Sequence, residues 1–222
     1  SFFNESLLDR SNLISTPNSI RGFDTWVNTM RVENSLKLFK EISERSYFDV
    51  MIDYSYYNRE KLKYIKDMTS LESTLVPDPL EHDTSIFKAG FSRGMYNFNS
   101  SSGKINVQSG YDFNLEYGSG KRIKDGKQNI QEYAFYSVLK WNIFRGFMFQ
   151  PGLRYAYNTK FNAPLAPSLN LKYSFDKYSL RVSYARGFRA PSLKELYLDF
   201  VDTNHFIKGN EDLKAEYSHS YN

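Results

Sequence analysis

The sequence contains no cysteine among its 222 residues, so a disulfide framework and a thiolate metal site are both excluded. Its 29 lysines and arginines are scattered along the chain, and 25 acidic residues leave a net charge of only +4. A nucleic-acid partner is therefore disfavoured, because proteins that bind nucleic acid carry a clustered basic surface. No apolar run approaches the roughly 18 residues that a membrane helix needs. If this chain contacts a membrane, helices do not make the contact.

Catalytic and metal-binding patterns are also missing. The three histidines, His82, His205 and His219, do not have the spacing of metal ligands. No Gly-x-Ser-x-Gly motif and no paired-carboxylate constellation argues for hydrolysis. The sequence therefore predicts no catalytic residue, no metal site and no cofactor, and a hydrolytic barrel enzyme is the weakest alternative that we consider.

Strict alternation of apolar and polar residues is the strongest pattern that is present. In residues 104–117, six of the seven odd positions are apolar and none of the seven even positions is. A period of two is typical of a strand with one apolar and one polar face. The same alternation recurs in 48–56, 147–157, 169–175 and 178–185, and in a weaker form in 86–98 and 130–143. The sequence therefore predicts an all-β, antiparallel protein.

The connections between these strands alternate in length. Short links are expected at 42–46, 99–103, 144–146 and 176–177, long ones at 59–84, 118–129 and 187–213, and one of intermediate length at 159–164. Antiparallel strands send every second connection to the same end, so short turns collect at one end and long loops at the other. Outer-membrane barrels show this asymmetry.

Strand number and length refine that prediction. Two strands of about 14 residues exceed the roughly 9–11 that a tilted strand needs to cross the hydrocarbon. Tyrosine and phenylalanine near strand ends are typical of the membrane interface, where a ring is buried while its hydroxyl stays wet. We expect an up-and-down transmembrane β-barrel, incomplete, with about nine strands, or ten if residues 14–28 supply one. The alternative is a secreted β-sandwich whose apolar faces form a core.

A segment near the C-terminus carries a recognisable motif. Residues 186–216 read RGFRAPSLKELYLDFVDTNHFIKGNEDLKAE, and they resemble the signature of TonB-dependent outer-membrane receptors, RAPS-x-x-E-L-Y followed by GN-P-x-L-x-P-E. The matching residues are Phe188, Arg189, Ala190, Pro191, Glu195, Leu196, Tyr197, Asn210, Leu213 and Glu216. The chain departs from the pattern at Glu211 and Ala215, where the family favours proline.

The resemblance implies an active-transport receptor of the bacterial outer membrane. Such a receptor binds a scarce nutrient such as a siderophore, haem or a vitamin, lies in outer-membrane lipid, and imports its ligand with energy from TonB. We expect residues 1–222 to be a single segment of the barrel, with the plug domain absent and TonB contacted through other parts of the receptor. The alternative function is an adhesin or a small pore without energy coupling.

The signature segment itself is expected to be an external loop that folds over or into the barrel mouth. Pro191 can open a short helix, with Leu193, Leu196 and Tyr197 on one apolar side. Gly209 and Asn210 then form a turn that returns the chain toward the next strand.

Two roles are open for the charged residues of this loop. Arg189, Glu195 and Glu216 can form ion pairs that pin the loop to the wall. Direct contact with the ligand is the alternative, and its candidates are Arg189, Lys194, His205 and Lys208. His205 lies where haem-uptake members of the family can place an axial ligand, and a hydrogen bond within the loop is the other reading of that residue.

Overall fold

Antiparallel strands make up most of the chain. The computed structural model describes the backbone of residues 2–16, 19–201 and 206–222, and the side chains of residues 20–201 and 206–222. The strands are β1 (Phe2–Thr16), β2 (Ser19–Ser43), β3 (Ser46–Asp67), β4 (Ser73–Leu75), β5 (Asp83–Asn99), β6 (Ile105–Gly120), β7 (Lys127–Phe144), β8 (Phe147–Asn158), β9 (Ala166–Phe175), β10 (Tyr178–Arg189), β11 (Asp199–Val201), β12 (Phe206–Lys208) and β13 (Glu216–Tyr221). One α-helix, α1 (Leu193–Tyr197), and two 3₁₀ turns, Pro79–Glu81 and Lys124–Gly126, interrupt them. Within these described ranges, no helix is long and apolar enough to cross a membrane.

The main sheet has 11 strands in the order β1-β2-β3-β5-β6-β7-β8-β9-β10-β13, with β4 paired beside β3. Every pairing along this path is antiparallel. The predicted up-and-down order is confirmed, and the ten strands along this path match the higher of the two predicted numbers, nine and ten. In the described part of the chain the sheet does not close, because β1 and β13 remain at its two edges. The short strands β11 and β12 form a separate hairpin.

The sheet has one apolar and one polar face. Residues paired across antiparallel strands project to the same face, so the register extends the alternation of β6 over its neighbours. On the apolar face, Phe113 lies opposite Tyr133, and Leu171 lies opposite Val182. No second layer of the described chain covers this face, and Phe135 and Leu180 are 55% and 61% exposed. A sandwich core is therefore excluded for these strands.

The polar face carries cross-strand ion pairs. Asp112 of β6 accepts a hydrogen bond from Arg93 Nε of β5 at 2.5 Å and another from Arg154 of β8. Arg154 Nη2 also lies 3.5 Å from Glu132 Oε1 of β7. Four neighbouring strands thus share one charged network, which is expected of a barrel wall that faces an aqueous interior.

The connections sort by length as predicted. Residues 44–45, 100–104, 145–146 and 176–177 turn the chain at one end, and 68–82, 121–126, 159–165 and 190–215 connect strands at the other. Two loop boundaries were wrong. Residues 59–67 continue β3 as strand, and the loop expected at 118–129 shrinks to 121–126.

The first two strands also differ from the prediction. Residues 14–28 do not form one strand, because they include the end of β1, residues 17–18, which lie outside the described ranges, and the start of β2. Strand β2 has 25 residues and β3 has 22, and their outer halves pair as far as Arg21 with Asp67. Apolar and polar residues do not alternate regularly in those halves.

Candidate functional site

The signature segment folds over the polar face at the long-loop end. Its helix α1 and the loop around it pack on β6 and β7 through one apolar cluster, Ile123, Ile130, Leu193, Leu196 and Tyr197, with Phe87, Phe161 and Leu198 at its edge. This cluster is the main buried core of the described chain, and it lies under the loop. The expectation that the loop folds over the barrel mouth is confirmed.

Helix α1 begins one residue later than expected. Ser192 is its N-cap: the Ser192 hydroxyl accepts from the Glu195 backbone N–H, and the Glu195 carboxylate accepts from the Ser192 backbone N–H at 2.8 Å. This reciprocal pair is a capping box, which satisfies two backbone donors that a helix start leaves open. Pro191 therefore precedes the helix and does not open it. The predicted apolar side is confirmed, because Leu193, Leu196 and Tyr197 are buried.

The predicted ion pairs hold this loop to the wall. Arg189 at the end of β10 lies 2.6 Å from Glu195 in α1 and 3.2 Å from Glu216 at the start of β13. The backbone N–H of Ser192, together with the Arg189 guanidinium, lowers the pKa of Glu195 to about 2. The two carboxylates in turn raise the pKa of Arg189. One arginine thus joins both ends of the loop to its helix.

The second signature block closes the loop by backbone contact. Gly209 N–H donates to Leu198 O at 2.8 Å, and Asn210 N–H donates to Glu195 O at 2.9 Å. A Cβ at Gly209 would lie 2.7 Å from backbone atoms of Leu196 and Tyr197, so the approach requires glycine. The Gly-Asn pair of the signature therefore docks directly on α1.

A second loop is attached to the first. In the β6–β7 loop, Ile123 forms an antiparallel bridge with Leu198, and Arg122 O accepts from Asp199 N–H at 2.8 Å. The side chain of Lys124 contacts Glu211. The two loops therefore form one continuous wall above the polar face.

A cavity of about 640 Å³ lies between this wall and strands β2, β3, β5 and β6. The basic side chains that reach it from the polar face and the loops are Arg31, Arg59, Arg122 and Lys194, the aromatic ones are Tyr57, Phe87 and Phe200, and its one acidic lining residue among the described side chains is Glu116. Such a lining favours an anionic ligand that carries aromatic rings, because guanidinium groups bind anions and stack on rings.

The charged groups of the cavity are held in place. Asp83 of β5 is 8% exposed, and its Oδ2 lies 2.7 Å from Arg122 Nε and 3.8 Å from Arg59 Nη1. The Arg122 guanidinium carbon lies 4.0 Å from the ring centre of Phe200, and Lys194 Nζ lies 4.8 Å from that of Phe87.

The predicted ligand residues do not all reach this cavity. Lys194 lines it, whereas Arg189 is engaged in the ion pairs described above. Lys208 lies on β12 opposite Asp199 and is exposed. His205 lies outside the described residues. Ligand contact by all four stays a prediction.

Sequence reasoning missed two arginines that line the cavity and the carboxylate that contacts both of them. Arg59, Asp83 and Arg122 fall within or next to segments that were interpreted as loops, and no motif links them. The sequence indicated only that the segments containing these residues lie at the same end of the sheet. Among the described side chains, no group of three or more histidine, aspartate or glutamate residues is placed to hold a metal ion.

Comparison with known proteins agrees with this architecture. Residues 7–222 match the family model described as TonB dependent receptor-like, beta-barrel. The curated ferric enterobactin receptor of Pseudomonas aeruginosa is 32% identical over 113 residues, which cover 46% of this chain and 15% of that protein.

Solved structures of siderophore receptors share the fold. The receptor PirA of P. aeruginosa superposes with a TM-score of 0.55 at 18% identity, over 98% of this chain and 47% of that one. A mutant of the P. aeruginosa ferric enterobactin receptor PfeA gives a TM-score of 0.63 at 14% identity, over 97% and 38%. At these identities the likeness shows the fold alone. The chain spans less than half the length of each of these relatives.

Proposed function

The chain belongs to the TonB dependent receptor-like, beta-barrel family, and from this premise we propose that it forms the ligand-binding wall of an outer-membrane importer of ferric siderophores. Members of the family are outer-membrane transport receptors, which favours this role over an adhesin, a small pore or an enzyme. The observation that carries the proposal is the cavity at the long-loop end, where four basic and three aromatic side chains surround one space.

The chemistry of the lining favours a catecholate ligand. A ferric catecholate siderophore is an anionic chelate built on aromatic rings, and it therefore matches guanidinium, ammonium and aromatic side chains together. The relatives named above include ferric enterobactin receptors, and enterobactin is a catecholate of this kind. We propose that Lys194 contacts the ligand, because it is the predicted ligand residue that lines the cavity.

The remaining parts of the transporter are proposals of the same kind. Residues 1–222 form a single segment of the barrel, whose apolar face contacts outer-membrane lipid. The plug and the TonB-contacting segment belong to other parts of the receptor. Support comes from the two sheet edges in the described chain, which a closed barrel does not have, and from the greater length of the relatives.

Uptake of radioactive iron tests the function. The full-length receptor is expressed under iron starvation in a Gram-negative strain that lacks its own siderophore receptors, with and without TonB. We expect TonB-dependent uptake of ferric enterobactin and slower or no uptake of an uncharged ferric hydroxamate. Surface-exposed receptor that imports neither chelate would overturn the proposal, and uptake that persists without TonB would support a small pore.

Substitution of one lysine tests the site. Lys194→Gln keeps most of the side-chain volume and removes the charge, and we expect ferric enterobactin to bind roughly three- to tenfold more weakly. Lys214→Gln is the matched control, because Lys214 is exposed in the same loop and is not among the residues that line the cavity. Equal affinities for the two variants would place the ligand elsewhere.

A further inference from the structure

One buried carboxylate lies beneath the basic wall of the cavity. Asp83 does not line the cavity, yet its Oδ2 contacts two guanidinium groups that do, Arg122 at 2.7 Å and Arg59 at 3.8 Å. The Ser85 hydroxyl lies 3.4 Å from Oδ1 and 3.3 Å from Oδ2 and donates to the carboxylate. The carboxylate side chain is 9% exposed, whereas Arg59 and Arg122 are 26% and 19% exposed.

The two arginines come from different parts of the fold. Arg59 lies on β3, and Arg122 lies in the β6–β7 loop, which also contacts the signature segment through Phe200 and Asp199. An arginine side chain has many rotamers, and ordering it on ligand binding costs free energy. A carboxylate shared by both guanidinium groups removes part of that cost before the ligand arrives.

The net charge of these three side chains favours the binding of anions. Within these three side chains, two guanidinium groups and one carboxylate carry a net charge of one positive unit. The carboxylate is buried behind the arginines, so a ligand in the cavity meets the cations first. Asp83 therefore orients the pair without cancelling its charge.

We propose that Asp83 is a positioning residue that preorganises Arg59 and Arg122 to bind the anionic chelate. This inference rests on the proposed function, because it takes an anionic ligand for granted. It adds a residue that touches no ligand, and it assigns the specificity for anions to a three-residue unit that spans strand β3, strand β5 and the β6–β7 loop.

Asp83→Asn distinguishes a positioning role from a purely electrostatic one, because the two roles predict opposite changes in the affinity for an anion. Removal of a negative charge near the cavity would by Coulomb attraction alone strengthen the binding of an anion. If the carboxylate positions the arginines, its loss weakens binding instead. We expect the dissociation constant of the ferric enterobactin probe to rise roughly tenfold, as when an outer-shell partner of a metal site is removed.

The matched control is Glu81→Gln. Glu81 lies two residues before Asp83 and loses the same charge, but its partner is Lys63 at 3.1 Å, which does not line the cavity. We expect the dissociation constant of this variant to stay within about twofold of the original value.

A double-mutant cycle tests whether Asp83 acts through Arg122. In full-length receptor that already carries Arg122→Gln, we expect Asp83→Asn to raise the dissociation constant clearly less than about tenfold, because only its contact with Arg59 remains. Equal effects of Asp83→Asn in both backgrounds would overturn the positioning role, and so would tighter binding by the single variant.

Folding and function are checked separately. Receptor that reaches the membrane is quantified first, and if Asp83→Asn does not assemble, Ser85→Ala is used, because it loosens the carboxylate and keeps every charge. We expect Ser85→Ala to weaken probe binding roughly two- to threefold, and unchanged binding would contradict the inference. Failure of unmodified receptor to bind any ferric siderophore would instead overturn the proposed function, so the two failures are distinguishable.

Discussion

Replacement of Leu193 by alanine tests whether apolar packing holds the signature loop over the polar face. Leu193 is 2% exposed and packs with Ile123, Leu196 and Tyr197. The change removes three buried carbon atoms at about 0.8 kcal/mol each, and a residual cavity adds to that cost. We therefore expect the loop to lose about 2.5 to 4 kcal/mol of local stability.

Hydrogen exchange in reconstituted full-length receptor measures this loss directly. The informative amides are those of Leu198, Gly209 and Asn210, which donate to carbonyl groups within the loop. A loss of about 2.7 kcal/mol corresponds to roughly hundredfold faster exchange when the loop opens independently of the barrel. Amides in the middle of β6 and β7 should keep their protection, because their hydrogen bonds belong to the sheet.

Leu213→Ala is the control for this experiment. Leu213 lies in the same loop and loses the same three carbon atoms, but it is 38% exposed. We expect its effect on exchange to be several-fold smaller. If Leu193→Ala left the exchange of Gly209 and Asn210 unchanged, the buried cluster would not anchor the loop, and the ion pairs of Arg189 would have to do so.

Three further predictions follow from neighbouring features. Val182→Lys places a charge on the apolar face and should lower the free energy of unfolding by about 2 to 4 kcal/mol for a position near the membrane midplane, whereas Ser183→Lys on the polar face should lower it much less. Urea-induced unfolding in lipid vesicles compares the two variants, and equal losses would refute the assignment of the faces. Because the pKa of Glu195 is lowered to about 2, the Glu195 carboxylate should stabilise the loop fully above its usual pKa of 4.5, and this stabilisation should be lost as the pH falls toward 2. Cleavage of the loop by pepsin should increase over that pH range, and Glu195→Gln should abolish the increase. An increase that persists in that variant would point to another titrating group. Gly209→Ala should destabilise the loop by about 1 to 3 kcal/mol, because the new methyl group would lie 2.7 Å from backbone atoms. We expect faster hydrogen exchange that is confined to the loop. Unaltered exchange would show that the loop accommodates the methyl group.

The strands in the apolar band could be predicted because alternation is a local pattern. Side chains on successive residues of a strand project to opposite faces, so a lipid-facing side leaves a period of two in the sequence. Strands β6, β9 and β10 have this pattern, and each was found close to its predicted position. The outer halves of β2 and β3 lack it, and their extent could not be predicted in the same way.

The ion pairs of Arg189 could also be predicted from the sequence, because Arg189, Glu195 and Glu216 all belong to one contiguous motif that includes the loop. The capping box was visible in principle, because Ser192 and Glu195 are three residues apart and the pattern is local. Pro191 was a competing signal for the helix start, and the prediction followed that signal instead.

The sequence by itself determined which residues share the apolar face of the sheet, that the strands are antiparallel, and which segment forms the large loop, because each of these depends on neighbouring residues. The tertiary structure alone decided which charges share the cavity. Arg59, Asp83 and Arg122 are far apart in the chain, and they meet because the register of β3, β5 and β6 brings their strand ends and the following loop to one place. Register over such distances is set by pairing along whole strands, and no short stretch of sequence contains that information.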